Sequence, residues 1–241
     1  MASQTRLVEV RQKVLKQNDV VARSLRKRFH EAGVYVVSLV SSPGSGKTMF
    51  LEKTLSLARQ HYRVSALVGD LATDNDAQRL ARSQVPVRQI TTGTVCHLEA
   101  DMVEKALEGW NLNELGFLFV ENVGNLVCPA SYDLGEDLRL VLFSVTEGED
   151  KPLKYPTIFN TADVAIITKI DLADAVEFDR AAAYRNIQAV RPGMQILEVS
   201  AKRGQGMDQW MQLLESRRAE ASQLHREVQT IGTEPAATVT Q

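Results

Sequence analysis

The segment Ser41-Ser42-Pro43-Gly44-Ser45-Gly46-Lys47-Thr48 sets glycines, a lysine and a hydroxyl residue at the spacing of a phosphate-binding loop. Small residues let successive backbone N–H groups curl around a β-phosphate, and a helix starting at once adds about half a unit of positive charge. Lys47 is then expected to span the β- and γ-phosphates. The Thr48 hydroxyl is expected to ligate Mg²⁺, a hard cation that takes oxygen from phosphates and one or two carboxylates. One position departs from the usual pattern: Ser41 stands where glycine is common, which bears on the approach into the loop and not on the cradle. Carboxylates for the cation and for an attacking water belong at neighbouring strand ends. Asp70, Asp74, Asp76 and Glu121 qualify; Asp70 and Glu121 are assigned to Mg²⁺ and Asp76 to the water.

Gly124 follows Glu121 by three residues. This resembles the DxxG switch of GTPases, in which a glycine N–H senses the γ-phosphate, with Glu in place of Asp. Further on, Thr168-Lys169-Ile170-Asp171 and Ser200-Ala201-Lys202 resemble the guanine-reading NKxD and SAK elements. Asp171 can accept two hydrogen bonds from guanine N1–H and its 2-amino group. Adenine supplies neither donor and would leave a buried carboxylate unpaired, so the pair selects GTP. The Lys169 stem can cover the purine face, and the Ala201 N–H can meet O6. Thr168 replaces the usual Asn, which predicts a weakened supporting contact.

The chain has two cysteines, Cys96 beside His97 and Cys128 four residues past Gly124. Thiolate and imidazole suit Zn²⁺ or Ni²⁺ and are poor ligands for Mg²⁺, so they predict a second metal site distinct from the nucleotide's. Three side chains leave a fourth position for water or for a residue of a second subunit.

These groups need a scaffold that gathers strand ends. Apolar runs at Val34–Val40, Tyr62–Val68, Val85–Ile90, Gly116–Val120, Leu138–Val145, Asp163–Thr168 and Gln195–Val199 alternate with helical patterns at Thr48–Gln60, Asp74–Ser83, His97–Gly109, Val176–Val190 and Met207–His225. Strands apolar on both faces and separated by helices predict an α/β fold, a mostly parallel sheet covered by helices on both faces. Ligands in such sheets sit at the carboxyl ends of the strands.

The ends differ from the middle. Residues 1–31 hold eight Lys/Arg and three Asp/Glu, net +5, inside a chain of net charge −2. Leu7, Val10, Val14, Val21, Leu25 and Phe29 recur at helical spacing, which predicts an amphipathic helix over 1–32 ended near Gly33. Acidic Glu9 and Asp19 interrupt its charge, favouring a docked helix with a solvated face over a nucleic-acid or membrane contact. Residues 33–225 read as the nucleotide domain and 226–241, rich in Thr, Gln, Ala and Pro, as a disordered tail. With 241 residues, 44% hydrophobic and 24% charged, the chain can bury a core, which excludes disorder throughout. No apolar run reaches the roughly 18 residues of a membrane span. Two cysteines cannot make a disulfide framework, and the expected compartment is the cytoplasm.

Across roughly 34–215 the chain resembles the HypB family of hydrogenase maturation GTPases, P-loop proteins of the SIMIBI class. The resemblance rests on Ser42–Thr48, on Gly69-Asp70-Leu71-Ala72-Thr73-Asp74-Asn75-Asp76-Ala77, on Thr91-Thr92-Gly93 through Cys96-His97-Leu98-Glu99-Ala100, on Glu121-Asn122-Val123-Gly124-Asn125-Leu126-Val127-Cys128-Pro129, and on Lys151-Pro152-Leu153-Lys154-Tyr155-Pro156. It implies a nickel metallochaperone that serves [NiFe]-hydrogenase, dimerises with GTP, and works with a HypA-type nickel chaperone and a hydrogenase large-subunit precursor. It also implies that Cys96, His97 and Cys128 bind Ni²⁺ or Zn²⁺ at the dimer interface, and that the partner docks on the N-terminal helix. The chain lacks the cysteine-rich N-terminal motif and the histidine-rich tract of many relatives; its histidines are His30, His61, His97 and His225. Bulk nickel storage is therefore not expected. A urease-type accessory GTPase is the alternative within the class, argued against by Ala130 after Pro129, where that family continues with His. A small-molecule P-loop kinase and a non-catalytic nucleotide-binding module are the alternatives outside it.

Overall fold

The chain forms β1 (Tyr35–Ser41), β2 (Val64–Asp70), β3 (Val87–Thr91), β4 (Phe117–Glu121), β5 (Leu138–Ser144), β6 (Val164–Thr168) and β7 (Gln195–Val199). They make one sheet of order β3-β2-β4-β1-β5-β6-β7, every pairing parallel. This computed structural model describes residues 2–70 and 79–231, with side chains from 12 to 225. The helices are α1 (Ala2–Ala32), α2 (Lys47–Ala58), α3 (Ala100–Ala106), α4 (Lys151–Lys154), α5 (Pro156–Thr161), α6 (Arg180–Val190) and α7 (Met207–Ile231). Among the described residues no helix is long and apolar enough to cross a membrane.

Every residue of β1, β4, β5 and β6 is buried, which is why these strands read as continuous apolar runs. Alternation within them still sorts side chains to two faces. Tyr35, Val37 and Leu39 of β1 pack with Phe50, Leu51 and Leu55 of α2 and with Trp210 and Leu214 of α7. On the other face Val36 meets Ala22, Leu25 and Phe29 of α1 and Val103 of α3, while Val40, Val141 and Phe143 meet α5 and α6. Trp210 donates its indole N–H to Thr54 Oγ1 at 3.0 Å, so the largest core side chain carries its polar atom satisfied.

The N-terminal helix ends as expected: Gly33 takes φ +72° and the Val34 N–H returns to Phe29 O at 3.0 Å. Its buried stripe differs from the expected one. Leu25 and Phe29 are buried, but Val14 is 41% exposed, and Asn18 and Ala22 complete the stripe at helical spacing. Leu7 and Val10 lie outside the residues with described side chains. At the other end α7 runs to Ile231, so the boundary expected at 225/226 falls inside a helix. No Gly or Pro between His225 and Ile231 stops it. Residues 232–241 of the expected tail lie outside the described residues, as do 71–78.

Several helices start later than periodicity suggests, because side chains cap them. Asp179 Oδ1 accepts the Ala182 N–H at 2.9 Å and starts α6 at Arg180, not Val176. Asn18 Oδ1, from α1, accepts the Ala100 N–H at 2.8 Å at the start of α3. Two short helices, α4 and α5, occupy the Lys151–Pro156 stretch and its continuation.

The β7–α7 loop is tied by the Ser200–Gln205 bridge and closes at Gly206, φ +73°, where a Cβ would lie 2.1 Å from Glu198 O. Gly206→Ala is therefore expected to lower stability by about 3 kcal/mol and to weaken nucleotide binding through displacement of Ser200–Lys202. Urea unfolding with and without GDP checks both.

Candidate functional site

Strand β1 delivers the chain into the phosphate loop. Gly44 and Gly46 take φ +74° and +91°, conformations closed to most side chains, whereas Ser41 needs no left-handed backbone and ends β1 fully buried with its hydroxyl on Ser42 O at 2.9 Å. The departure at Ser41 thus leaves the loop's path intact. Ser42 Oγ donates to Glu147, whose other oxygen accepts the Ser144 N–H at 2.8 Å in a capping box after β5. Glu147, held also by Lys151 at 3.0 Å, buttresses the loop from a neighbouring strand. No sequence spacing announced it.

A cavity of about 560 Å³ opens over this loop at the carboxyl ends of the strands. Its walls bring together Gly44, Ser45, Gly46, Lys47, Thr48, Asp70, Gly124, Lys169, Asp171, Ser200, Ala201 and Lys202, the residues singled out from sequence. Arg79 also faces the cavity, a cation that no motif flagged. Asp74 and Asp76 lie outside the described residues. Glu121 sits one layer deeper, fully buried. Its Oε1 accepts from Lys47 Nζ and Thr48 Oγ1, each at 2.7 Å. Lys47 therefore rests on a carboxylate rather than reaching over the cradle. Glu121 Oε2 and Ser45 Oγ are buried with no partner, a costly arrangement unless a ligand completes it. An orphaned carboxylate oxygen beside a threonine hydroxyl on a phosphate loop is the donor set that fits Mg²⁺.

The end of the cavity away from Gly124 is lined by residues that follow β6 and β7. Lys169 takes φ +58°, uncommon for a non-glycine residue, and this turns its stem across the loop: Nζ donates to Gly44 O at 2.7 Å, and Cε stands 3.6 Å from where a Gly46 Cβ would be. Thr168 donates its hydroxyl to Ser45 O. The hydroxyl that stands where Asn is usual thus still reaches the loop backbone.

The soft ligands converge. Cys96 Sγ and Cys128 Sγ are 2.9 Å apart without a disulfide, and with one His97 ring nitrogen they form a group whose ligand atoms all lie within 4.8 Å. Around a tetrahedral ion with Zn–S near 2.3 Å the sulfurs would stand ~3.8 Å apart, so a small opening admits the metal. His97 is 9% exposed, both ring nitrogens lack a hydrogen-bond partner, and its ring stacks on Tyr132 with centroids 4.0 Å apart. Glu99 Oε1 lies 3.3 Å from Nε2, close enough to attract charge but off the direction of a hydrogen bond. Burial pushes the His97 pKa down from the usual imidazole value against the opposing pull of Glu99, which favours the neutral ring that can serve as a ligand.

Two asparagines lace the Cys96–His97 segment to the segment that carries Gly124 and Cys128. Asn122 Oδ1 accepts the N–H groups of Leu98 and Val123, both at 2.9 Å. Asn125 Nδ2 donates to Cys96 O at 3.2 Å while its Oδ1 accepts the Val127 N–H at 2.8 Å. Gly124 between them abuts Pro43 of the phosphate loop: a Cβ there would lie 3.1 Å from Pro43 N and Cα. Reading by motif found both cysteines, His97 and Gly124 but not these bridging amides.

The chain is similar to known proteins over most of its length. Residues 35–198 match the CobW/HypB/UreG nucleotide-binding domain. The chain is 45% identical over 216 residues to a hydrogenase maturation factor HypB of Azotobacter chroococcum, covering 90% of this chain and 71% of that protein. It is 40% identical over 223 residues to a hydrogenase/urease maturation factor HypB of Helicobacter pylori, covering 90% of this chain and 91% of that one. A crystal structure of Helicobacter pylori HypB in complex with nickel superposes with a TM-score of 0.80 at 40% identity, over 85% of this chain and 96% of that one.

Proposed function

We propose, since the chain belongs to the CobW/HypB/UreG family and within it to the HypB hydrogenase maturation factors, that it is a GTP-hydrolysing carrier that delivers nickel for [NiFe]-hydrogenase assembly. The observation that carries the proposal is the Cys96–His97–Cys128 group, joined by a four-residue step from Cys128 to Gly124 at the phosphate loop. The homologue crystallised with nickel supports nickel as the cargo; Zn²⁺ suits the same donors.

The phosphates of GTP are held by the Gly44–Thr48 N–H groups. Lys47 exchanges its contact with Glu121 for phosphate oxygens. Thr48, Glu121 and Asp70 would hold Mg²⁺, which would offset charge on the phosphates. Asp76 orients the attacking water. Asp171 and Ala201 read guanine. Loss of the terminal phosphate removes the partner of the Gly124 N–H, and Asn122 and Asn125 carry the resulting displacement into both metal-bearing segments, so GTP and GDP favour different arrangements of the metal ligands. A tenfold change in affinity needs only about 1.4 kcal/mol, within the reach of one hydrogen bond to a charged group. Val127, beside Cys128, is 64% exposed, which supports closure of the metal site by a second copy in the GTP state. A HypA-type chaperone and the hydrogenase large-subunit precursor are the proposed partners upstream and downstream. The name of the Helicobacter relative favours one second reading, in which the same cargo also serves urease.

Multiple-turnover phosphate release tests the enzyme reading. Wild type is expected to release phosphate from GTP to water and to spare ATP. Asp171→Ala is expected to weaken GTP binding by about 100-fold, the cost of losing a paired contact to a charged group, with ATP binding unchanged. Phosphate passed to a small-molecule acceptor, or equal use of ATP, would count for the kinase reading instead.

A further inference from the structure

We infer that Asn18 of the N-terminal helix is a positioning residue for the metal group, so that α1 is part of the metal site's frame. Asn18 is 6% exposed although it lies on a helix whose flanking residues Gln17 and Asp19 face solvent. Both ends of its amide are used, on two different loops. Oδ1 accepts the Ala100 N–H at 2.8 Å, and Nδ2 donates to Asp133 O at 2.8 Å. Ala100 is three residues past His97, and Asp133 follows Tyr132, whose ring stacks on His97. One side chain therefore spans the segment carrying Cys96 and His97 and the segment that leaves Cys128.

The rest of α1 reinforces the second segment. Arg26 donates to Asp133 Oδ1 at 2.7 Å, and Gly135 packs so closely that a Cβ would lie 2.9 Å from Ala22 O. An apolar side chain would fill position 18 of this stripe, where Ala22, Leu25 and Phe29 follow. An amide there is costly to bury unless both its groups are paired. Its partners are backbone groups near the metal ligands, so its effect falls on their separation. Asn122 and Asn125 tie the Cys–His segment to the Cys segment on the nucleotide side, and Asn18 ties the two on the opposite side. Removing it frees the two loops to drift apart at the end away from the phosphate cradle.

This inference rests on the proposed metal site, and the experiment separates the two. Nickel titrations of the full chain, followed by thiolate-to-nickel charge-transfer absorbance, are run on wild type, Cys128→Ala, Asn18→Ala and the near-isosteric Asn18→Leu, with GDP affinity measured in parallel. The expected result is at least a fivefold loss of nickel affinity in the Asn18 variants with GDP affinity within twofold of wild type. A smaller loss, or an equal fall in GDP affinity, overturns the role of Asn18. Should neither variant fold, hydrogen exchange in the wild type decides: nickel is expected to slow amide exchange across residues 12–25 of α1, and unchanged exchange there overturns the inference. If Cys128→Ala binds nickel as wild type does, the metal site itself is at fault and not the bracing by Asn18.

Discussion

Cys128→Ala is expected to lower nickel affinity by about 100-fold or more, that is by at least about 2.7 kcal/mol, while leaving basal GTP hydrolysis within a fewfold of wild type. Two thiols and an imidazole stand close enough to meet at one ion, and losing one thiolate would leave one thiolate and one imidazole, which cannot complete a tetrahedral sphere without extra water. Changes in the shell around a metal ligand already cost 10- to 100-fold, and loss of the ligand itself costs no less. The sparing of hydrolysis follows from position. Cys128 is four residues past Gly124 in sequence and is not among the residues that line the nucleotide cavity. Competition with a chromophoric chelator gives the affinity, and phosphate release gives the turnover. Loss of both together would mean that the substitution had damaged the switch segment as a whole.

Lys47→Ala is expected to reduce GTP turnover by about 1000-fold or more, since a fixed cation over the transferring phosphoryl group is the main electrostatic asset of such a site. It carries a second consequence that the structure makes specific. Lys47 and Glu121 form an ion pair at 2.7 Å with side-chain exposures of 10% and 0%. Deleting the lysine strands a buried carboxylate, which costs about 3 kcal/mol of stability in the nucleotide-free protein. Lys47→Ala/Glu121→Gln removes the stranded charge and is expected to regain most of that stability without regaining turnover. Thermal unfolding and phosphate release on the two variants separate the roles. Recovery of activity in the double variant would mean that Lys47 serves the fold and not the phosphate.

What could be read before any coordinates follows from how local the information is. The phosphate loop was legible because its glycines and Lys-Thr pair act within eight consecutive residues between a strand and a helix. The parallel sheet was legible because strands buried on both faces leave continuous apolar runs, and Asp171 and Ser200–Lys202 because they sit where such strands end. Cys96, His97 and Cys128 stood out by type alone. The rest depends on contacts between distant residues. Nothing near Glu147 in sequence points to Ser42, and nothing near Asn18 points to Ala100 and Asp133. The late start of α3 has the same origin, since its first N–H is capped by a side chain 82 residues away. Thr168 shows the converse: replacement of Asn suggests a weakened contact, and only the fold shows that the hydroxyl reaches Ser45 O. The stop of α7 was misplaced because composition suggested a tail before any breaking residue occurs.

The coupling of nucleotide state to metal is most directly tested by measuring nickel affinity of the wild-type protein saturated with GDP and with a non-hydrolysable GTP analogue, with molecular mass recorded in each state. The path from the terminal phosphate through Gly124, Asn122 and Asn125 to the cysteines predicts affinities that differ by at least about tenfold, with the dimer confined to the triphosphate state. Equal affinities in the two states would contradict it.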